Sequence, residues 1–532
     1  MAVKDDTATG LLEGDLNDTE EHRRAVYALF KAGDERFDGR VFVGVSSTSV
    51  YCRPVCRVKM PKFENCTFYH SAAEAEAAGF RPCLLCRPEL APGLSSADAR
   101  ASLARRAAEL LRERCSSGES VEHLAGKLGY TDRHLRRVFE DEFGVTPVQY
   151  LQTCRLLLAK SLLTDTRIPV AQVAVAAGFG SVRRFNHLFK ERYRLTPTQL
   201  RKRKPADGGQ GITLHLAYRP PYGFAKLLAF FRARRLDGVE VVDGDSYTRA
   251  VRMEGAAADG GDIVGWIRVT DEPAKGRLAV RMSETLLPVA SQVAARVRRQ
   301  FDTDCDPDAV HEGIRSLDEL VPGAAVPGTR VPGAFDPFEI AVRAVLGQQI
   351  SVQAANKLAA RIAAAYGTPV DFEGGGCGEV DGSGPCSASG GRGEPDSDGG
   401  APSGLRFLFP TARDFLALDP IEDALGELGV IKTRSRTIQE LARLAVEDGL
   451  DLGPGADVAR QMETLLAVRG IGPWSANYIA MRALGYTDAF LEKDAGIKHA
   501  LPDLTPAERL AAAERWRPWR AYANLCLWNS LG

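Results

Sequence analysis

The residues most able to do chemistry are four cysteines in two close pairs. Cys52 and Cys56 stand in Tyr51-Cys52-Arg53-Pro54-Val55-Cys56, and after twenty-six intervening residues come Cys83-Leu84-Leu85-Cys86. C-x3-C followed by C-x2-C, each pair on a tight turn, is the sequence form of a tetrahedral four-thiolate zinc site. Two disulfides, or four unrelated buried thiols, are the competing readings. Arg53, Arg57, Lys59, Arg81 and Arg87 crowd the sulfurs, a basic rim that a purely structural site does not need. Zinc holds each sulfur deprotonated at neutral pH, and the thiolate is the nucleophilic form. Facing a phosphate backbone, such a sulfur can attack an electrophilic methyl group. The centre would then drop from a double to a single negative charge, and its repulsion of DNA phosphates would fall. Oxidation of Cys52 as a redox signal is the other chemistry open to it.

A second candidate lies near the end of the chain. Leu465 to Tyr478 contains Arg469-Gly470-Ile471-Gly472-Pro473-Trp474 and predicts a helix, a Gly-x-Gly hairpin and a helix. The glycines permit a sharp turn and bare N–H groups that suit phosphate oxygens. Asp494 follows about twenty residues on, in Phe490-Leu491-Glu492-Lys493-Asp494. A carboxylate at that remove suits base excision, where it stabilises the oxocarbenium character left on the deoxyribose or positions water.

Several elements must position these groups. A chain of 532 residues predicts about three to five domains. Residues 1–21 are polar and acidic and are expected to be an unstructured leader. Residues 22–92 predict a small α/β domain around the metal, with a strand over Arg40–Val45 and a helix over Ala72–Ala78. Residues 97–203 are helical and repeat: Val121 to Gly129 aligns with Val170 to Gly178, and Phe139 and Pro147 recur as Phe189 and Pro197. Each copy reads helix, Gly turn, helix, Thr-Pro, a helix-turn-helix pattern. The second helix of each copy offers Arg133, His134, Arg136 and Arg137, or Arg183, Arg184, Asn186 and His187, for major-groove or phosphate contacts. A helical bundle with a solvated charged face is the alternative. A basic linker spans Arg201 to Gly209. Residues 211–300 predict an α/β sheet domain, with strands at Leu214–Tyr218, Val239–Val242, Tyr247–Val251 and Leu278–Val280 and a helix over Gly223–Arg235. Residues 301–532 form the last domain, helical from about Pro332, with a Gly/Ser/Asp-rich insertion at 372–404 expected to be disordered. The fold class is multidomain α+β: a zinc-bound α/β domain, an all-α double helix-turn-helix domain, an α/β sheet domain and an all-α helix-hairpin-helix domain.

Ser47 to Cys56, with Ala78 to Cys86, resembles the N-terminal domain of the Ada adaptive-response regulators. The resemblance makes Cys52 an irreversible acceptor of methyl from DNA methylphosphotriesters. Cys56, Cys83 and Cys86 become its fellow zinc ligands, and Thr48, Lys59 and Arg81 become DNA contacts. Residues 97–203 resemble the AraC-type DNA-binding domain, implying methylation-dependent transcriptional activation, with RNA polymerase as a partner. The chain contains no Pro-Cys-His-Arg tetrapeptide, so repair of O6-methylguanine is not expected. The hairpin and Asp494, with Phe335-Asp336-Pro337-Phe338-Glu339 and Val345-Leu346-Gly347-Gln348-Gln349-Ile350-Ser351, resemble 3-methyladenine DNA glycosylase II, the AlkA family. That resemblance covers about 211 to the C-terminus apart from the insertion. It places catalysis on Asp494, the base pocket on Phe230, Trp474, Tyr478 and Trp528, and the plug of the vacated base stack on Gln349. It also implies a monovalent cation at the hairpin. A base alkylated at a ring nitrogen is cationic and stacks well on electron-rich rings, although core packing is the plainer role of any one aromatic. Trp474 stands where strand-cleaving relatives carry a Schiff-base lysine, so monofunctional hydrolysis of alkylated purines is expected.

Composition narrows the remainder. Formal net charge is −1, so the average says nothing about partners. No run of eighteen apolar residues is present, and no span of a membrane is expected. The N-terminal stretch lacks the apolar core of a signal peptide. Eleven cysteines, seven of them scattered outside the quartet, fit a reducing cytoplasm, and DNA as partner would place the protein on the nucleoid. A DNA-binding regulator with structural zinc and an inactive glycosylase fold is the competing function.

Overall fold

The computed structural model describes residues 12, 14–93, 103–203, 212–257, 260–372, 402–447, 449–453 and 455–531. Most of the expected leader, the linker residues 204–211, and 373–401 with Cys377 and Cys386 lie outside the described residues.

The N-terminal module holds a four-stranded sheet ordered β3-β1-β2-β4, from Phe42–Val45 (β1), Val50–Cys52 (β2), Cys66–Tyr69 (β3) and Arg81–Pro82 (β4). Parallel pairing of β2 with β4 sets Tyr51 opposite Pro82. The Cys83 N–H then donates to the Tyr51 carbonyl at 3.0 Å, which brings the two cysteine pairs side by side. Val26, Phe30, Val43 and Phe68 form the small core behind them. The last expected leader residues are folded: Leu16 is buried, Asn17 exchanges two hydrogen bonds with the Phe68 backbone, and Thr19 caps the helix Glu20–Ala32. Side-chain caps and a buried leucine order them despite the polar composition.

The helical repeat is present in three dimensions. Helices Val121–Lys127 and Asp132–Phe143 form the first copy, and Val170–Ala176 and Val182–Tyr193 the second. Gly129 (φ +80°) and Gly178 (φ +81°) make the turns, a backbone conformation that glycine adopts without strain. Phe139 and Phe189 fill equivalent core positions. The repeat extends past the Thr-Pro pairs: Thr146 with Gln149, and Thr196 with Gln199, form the same reciprocal bonds at 2.9 and 3.2 Å. That is a capping box at the start of each following helix.

A five-stranded antiparallel sheet follows, ordered β5-β9-β8-β7-β6, from Ile212–Ala217 (β5), Glu240–Asp243 (β6), Ser246–Met253 (β7), Ile263–Glu272 (β8) and Arg277–Met282 (β9). The helix Phe224–Ala233 packs on it through Phe224, Leu227, Leu228 and Phe231. The C-terminal helices include Pro337–Leu346, Lys432–Val446, the hairpin pair Val458–Ala467 and Pro473–Arg482, and Arg520–Asn529.

Buried polar contacts join the modules. Arg219 donates to the Asp38 and Gly93 carbonyls at 2.7 and 3.0 Å, and to the Asp304 carbonyl at 2.8 Å. Glu89 pairs with Lys160, while Arg87 reaches Asp165 at 2.7 Å. Among the described residues, no helix is long and apolar enough to cross a membrane.

Candidate functional sites

The four sulfurs of Cys52, Cys56, Cys83 and Cys86 all lie within 4.8 Å of one another, the one cluster of metal-ligating side chains among the described residues. Ligands about 2.3 Å from a tetrahedral zinc stand about 3.8 Å apart, so the set fits the ion. All described cysteines are free thiols, which removes the disulfide reading for the quartet. The backbone N–H groups of Arg53 and Leu85 point at the sulfurs of Cys86 and Cys83, each at 3.4 Å. A cleft of about 720 Å³ opens over the site and is lined by Thr48, Lys59, Arg81, Cys52 and Cys83, but not by Cys56 or Cys86. Exposed Val58 and Leu85 flank its mouth.

The basic rim is smaller than the sequence implies. Lys59 and Arg57 are exposed and Arg81 is half-buried. Arg53 instead turns inward to a buried ion pair with Asp38. Arg87 is bound by Glu89, Asp165 and Thr164. Both guanidiniums satisfy buried carboxylates, since an unpaired buried charge is strongly destabilising. They therefore do not face the cleft.

In the helix-turn-helix module Arg133, Arg136, Arg137, Arg183, Arg184, Asn186 and His187 are all exposed, on faces opposite the buried Leu135, Phe139, Phe185 and Phe189. Arg136 is held by Asp132 at 2.8 Å one turn earlier.

The second site gathers around Asp494, which caps the helix Ala495–Ala500. Its Oδ1 accepts the Gly496 N–H at 2.8 Å, the Ile497 N–H at 3.3 Å and the Trp528 indole N–H at 2.8 Å. Its Oδ2 accepts the Trp474 indole N–H at 3.1 Å. Capping needs only the two backbone donors, so the two indoles make this more than a helix end. Trp474 stacks on Tyr478 with ring centroids 5.2 Å apart and planes 8° from parallel. Phe230 and Trp528 lie near-parallel at 6.4 Å. All four rings are half-buried on one apolar cluster. Burial alone would raise the Tyr478 hydroxyl pKa, but Arg482, Arg234 and Arg343 together bring it below its ordinary value.

The hairpin is braced from behind. Gly470 has φ +97° and lies against Thr437, whose hydroxyl donates to the Arg469 carbonyl at 2.9 Å. The Gln348 amide donates to the Gly470 carbonyl at 2.8 Å and to Ser475 Oγ at 3.0 Å. Gly472 has φ −96° and faces open space. Gln349 stands exposed at the tip of its loop with φ +56°, beside exposed Ile350.

Two residues of this site escaped sequence reasoning: Arg234 and Arg482, whose guanidiniums lie 3.8 and 4.8 Å from the Phe230 ring centroid. Each stands four residues beyond a pocket aromatic on one helical run, Phe230 and Tyr478 respectively. Since i and i+4 share a helix face, that spacing was the available signal.

Fold and sites together define a DNA-repair protein that carries a four-cysteine zinc module, a double helix-turn-helix and a glycosylase fold. Four family descriptions match in series: "Metal binding domain of Ada" over 25–89, "Helix-turn-helix domain" over 100–203, "AlkA N-terminal domain" over 213–336 and "HhH-GPD superfamily base excision DNA repair protein" over 342–520. The chain is 35% identical over 517 residues to a probable bifunctional transcriptional activator/DNA repair enzyme AlkA of Mycobacterium tuberculosis, spanning 95% of this chain and 96% of that one. The chain belongs to this family of bifunctional activator and DNA-repair proteins, in which Ada-type and AlkA-type modules are joined. It is also 35% identical to DNA-3-methyladenine glycosylase 2 of Escherichia coli, over 60% of this chain and 97% of that protein. Against Escherichia coli Ada, a bifunctional transcriptional activator/DNA repair enzyme, it is 30% identical over 35% of this chain and 49% of that protein.

Proposed function

We propose that the protein answers alkylation damage in two ways, dividing as 22–92, 97–203, 211–300 and 301–532. Cys52 takes a methyl group irreversibly from a DNA methylphosphotriester, and the methylated protein then activates transcription. The C-terminal half removes alkylated purines such as 3-methyladenine by hydrolysing the N-glycosidic bond, without strand cleavage. A zinc ion, when bound, keeps the four sulfurs as thiolates. Of the four, Cys52 and Cys83 line the cleft, where Lys59, Arg81 and Thr48 are placed to hold flanking phosphates. In the transfer a carbon–oxygen bond breaks, its electron pair stays on the phosphate, and the carbon bonds to the Cys52 sulfur. Removal of one negative charge from the cleft then favours DNA.

In the glycosylase half, Gly470 and Gly472 present the hairpin to the backbone. Gln349 fills the stack left by the flipped base, and Phe230, Trp474, Tyr478 and Trp528 receive that base. Asp494 stabilises positive charge at C1′. Its Oδ1 is saturated by three donors whereas Oδ2 has one, so Oδ2 is the oxygen free to face the sugar. This carboxylate, held by both pocket indoles, carries the reading. Asn caps helices as well as Asp does, so Asp494→Asn removes the charge and keeps the fold. Base release from methylated DNA should fall by roughly 10²–10³-fold, in the range of other lost electrostatic stabilisers. Release no greater than background from both proteins would favour the pure-regulator reading. Fragmentation mass spectrometry after exposure to methylphosphotriester DNA should find one added methyl, on Cys52.

The same reading keeps RNA polymerase as partner of the methylated form and the cytoplasm, on the nucleoid, as location. A monovalent cation at the hairpin belongs to it on resemblance alone, as the Val468, Arg469 and Gly470 carbonyls each already accept an internal hydrogen bond.

A further inference from the structure

Three guanidiniums surround the base pocket, and two are firmly tied. Arg343 pairs with Glu339 at 2.8 Å and approaches Glu240 at 3.8 Å. Arg482 bonds the Pro332 and Gly333 carbonyls and the Tyr478 hydroxyl. Arg234 differs. Among the described residues no carboxylate pairs with it, yet its guanidinium lies 3.8 Å over the Phe230 ring and 6.0 Å from the Trp528 ring. A ring face that attracts a cation already has one. At the end of its helix, the guanidinium reaches the Tyr478 hydroxyl rather than a carboxylate, so its positive charge stands uncompensated beside the pocket.

We propose that Arg234 is a specificity-determining residue that shifts the pocket from cationic towards uncharged lesion bases. This inference rests on the base-excision reading above. A cationic alkylated base entering beside Arg234 meets like charge at close range. An uncharged base with a ring carbonyl, such as hypoxanthine, meets N–H donors instead. When its N9–C1′ bond breaks, the electron pair goes to the base. A water oxygen bonds to C1′, and one of the water's protons ends on the base. Negative charge grows on the base during that step, and a guanidinium beside it stabilises the change. A cationic base leaves neutral and gains nothing comparable.

The test measures single-turnover release of 7-methylguanine and of hypoxanthine by the full chain and by its Arg234→Met and Arg234→Lys variants. Both rates come from one preparation, so their ratio is insensitive to the fraction folded. Arg234→Met should raise the 7-methylguanine to hypoxanthine ratio at least tenfold. Arg234→Lys, which keeps the charge, should leave it within about threefold of wild type. A wild type that releases both bases, with an Arg234→Met ratio within twofold of it, overturns the inference alone. A wild type that releases neither overturns the base-excision reading and this inference with it.

Discussion

At the residue scale, a carboxylate that both caps a helix and receives two indole N–H groups is held on several sides at once. Trp474 supplies the one donor on Oδ2 of Asp494 and also a stacking face for Tyr478. Trp474→Phe separates these roles, since it keeps an aromatic ring and removes the N–H. A hydrogen bond to a charged group contributes about 1.5–3 kcal/mol. Single-turnover base release should therefore slow about tenfold to a hundredfold, with duplex affinity in a gel-shift assay little changed. An unchanged rate would show that Oδ2 needs no donor. Residue types alone pointed to Asp494 and to the cysteine quartet, because their chemistry requires those types at those spacings. They did not separate outward from inward arginines. Arg53 and Arg87 looked like part of a DNA-facing rim until Asp38, Glu89 and Asp165 appeared as their partners. Partners distant in the chain leave no local mark.

At the element scale the two hairpin glycines make a contrast. A Cβ at Gly470 would stand 2.3 Å from Thr437 Oγ1, on a backbone with φ +97°, whereas one at Gly472 would meet nothing within 4 Å. Gly470→Ala should destabilise the C-terminal module by about 1–3 kcal/mol, read from urea unfolding, and weaken DNA binding with it. Gly472→Ala should leave stability within about 0.5 kcal/mol and still weaken DNA binding, because its methyl group would meet the approaching backbone. Equal DNA affinity for Gly472→Ala and wild type would place the phosphate elsewhere. Elements with a repeat or a turn signature were readable from sequence: the tandem helix-turn-helix declares itself by its period and by Gly129 and Gly178. Ile263–Glu272 was not among the expected strands, although it lies between β7 and β9 in the sheet. Its three consecutive buried residues, Gly265, Trp266 and Ile267, blur the alternation by which a half-buried strand is recognised.

At the scale of the whole molecule, the modules meet through buried charge that no single motif forecasts. Glu76 is 2% exposed and joins Tyr51 at 3.2 Å to Thr153 of the helix-turn-helix module at 3.0 Å. Burial pushes its carboxyl up to about 7. Between the unfolded value of about 4.3 and that pH, the folded protein holds a proton that the unfolded chain has lost. Stability therefore falls as pH rises through this window and stays lower above it. Asp165 works in the opposite sense: His215 and Arg87 outweigh burial and hold its carboxyl well below the usual range. Its contribution is present at neutral pH and is lost as pH falls below the carboxylate range. Glu76→Gln should thus raise the melting temperature of the N-terminal transition at pH 8 and hardly change it at pH 4.5. The gain at pH 8 should be on the order of 3 kcal/mol. An equal effect at both pH values would mean that Glu76 stays ionised in the fold.

Removing the metal bears on the same scale. A module as small as 22–92 depends on zinc for much of its stability. A chelator should therefore unfold it and abolish methyl acceptance, while base release persists, because the two cores of the helical glycosylase domain include no residue of 22–92.

One reaction tests most directly whether two separate repair chemistries share this chain. Duplex DNA carrying methylphosphotriesters and 3-methyladenine is given to wild type, Cys52→Ala and Asp494→Asn, and protein-bound methyl and released base are counted in each tube. The predicted pattern is crossed: Cys52→Ala releases base but accepts no methyl, and Asp494→Asn accepts methyl but releases almost no base. Loss of both activities in either variant, or full retention of both in either, would contradict it.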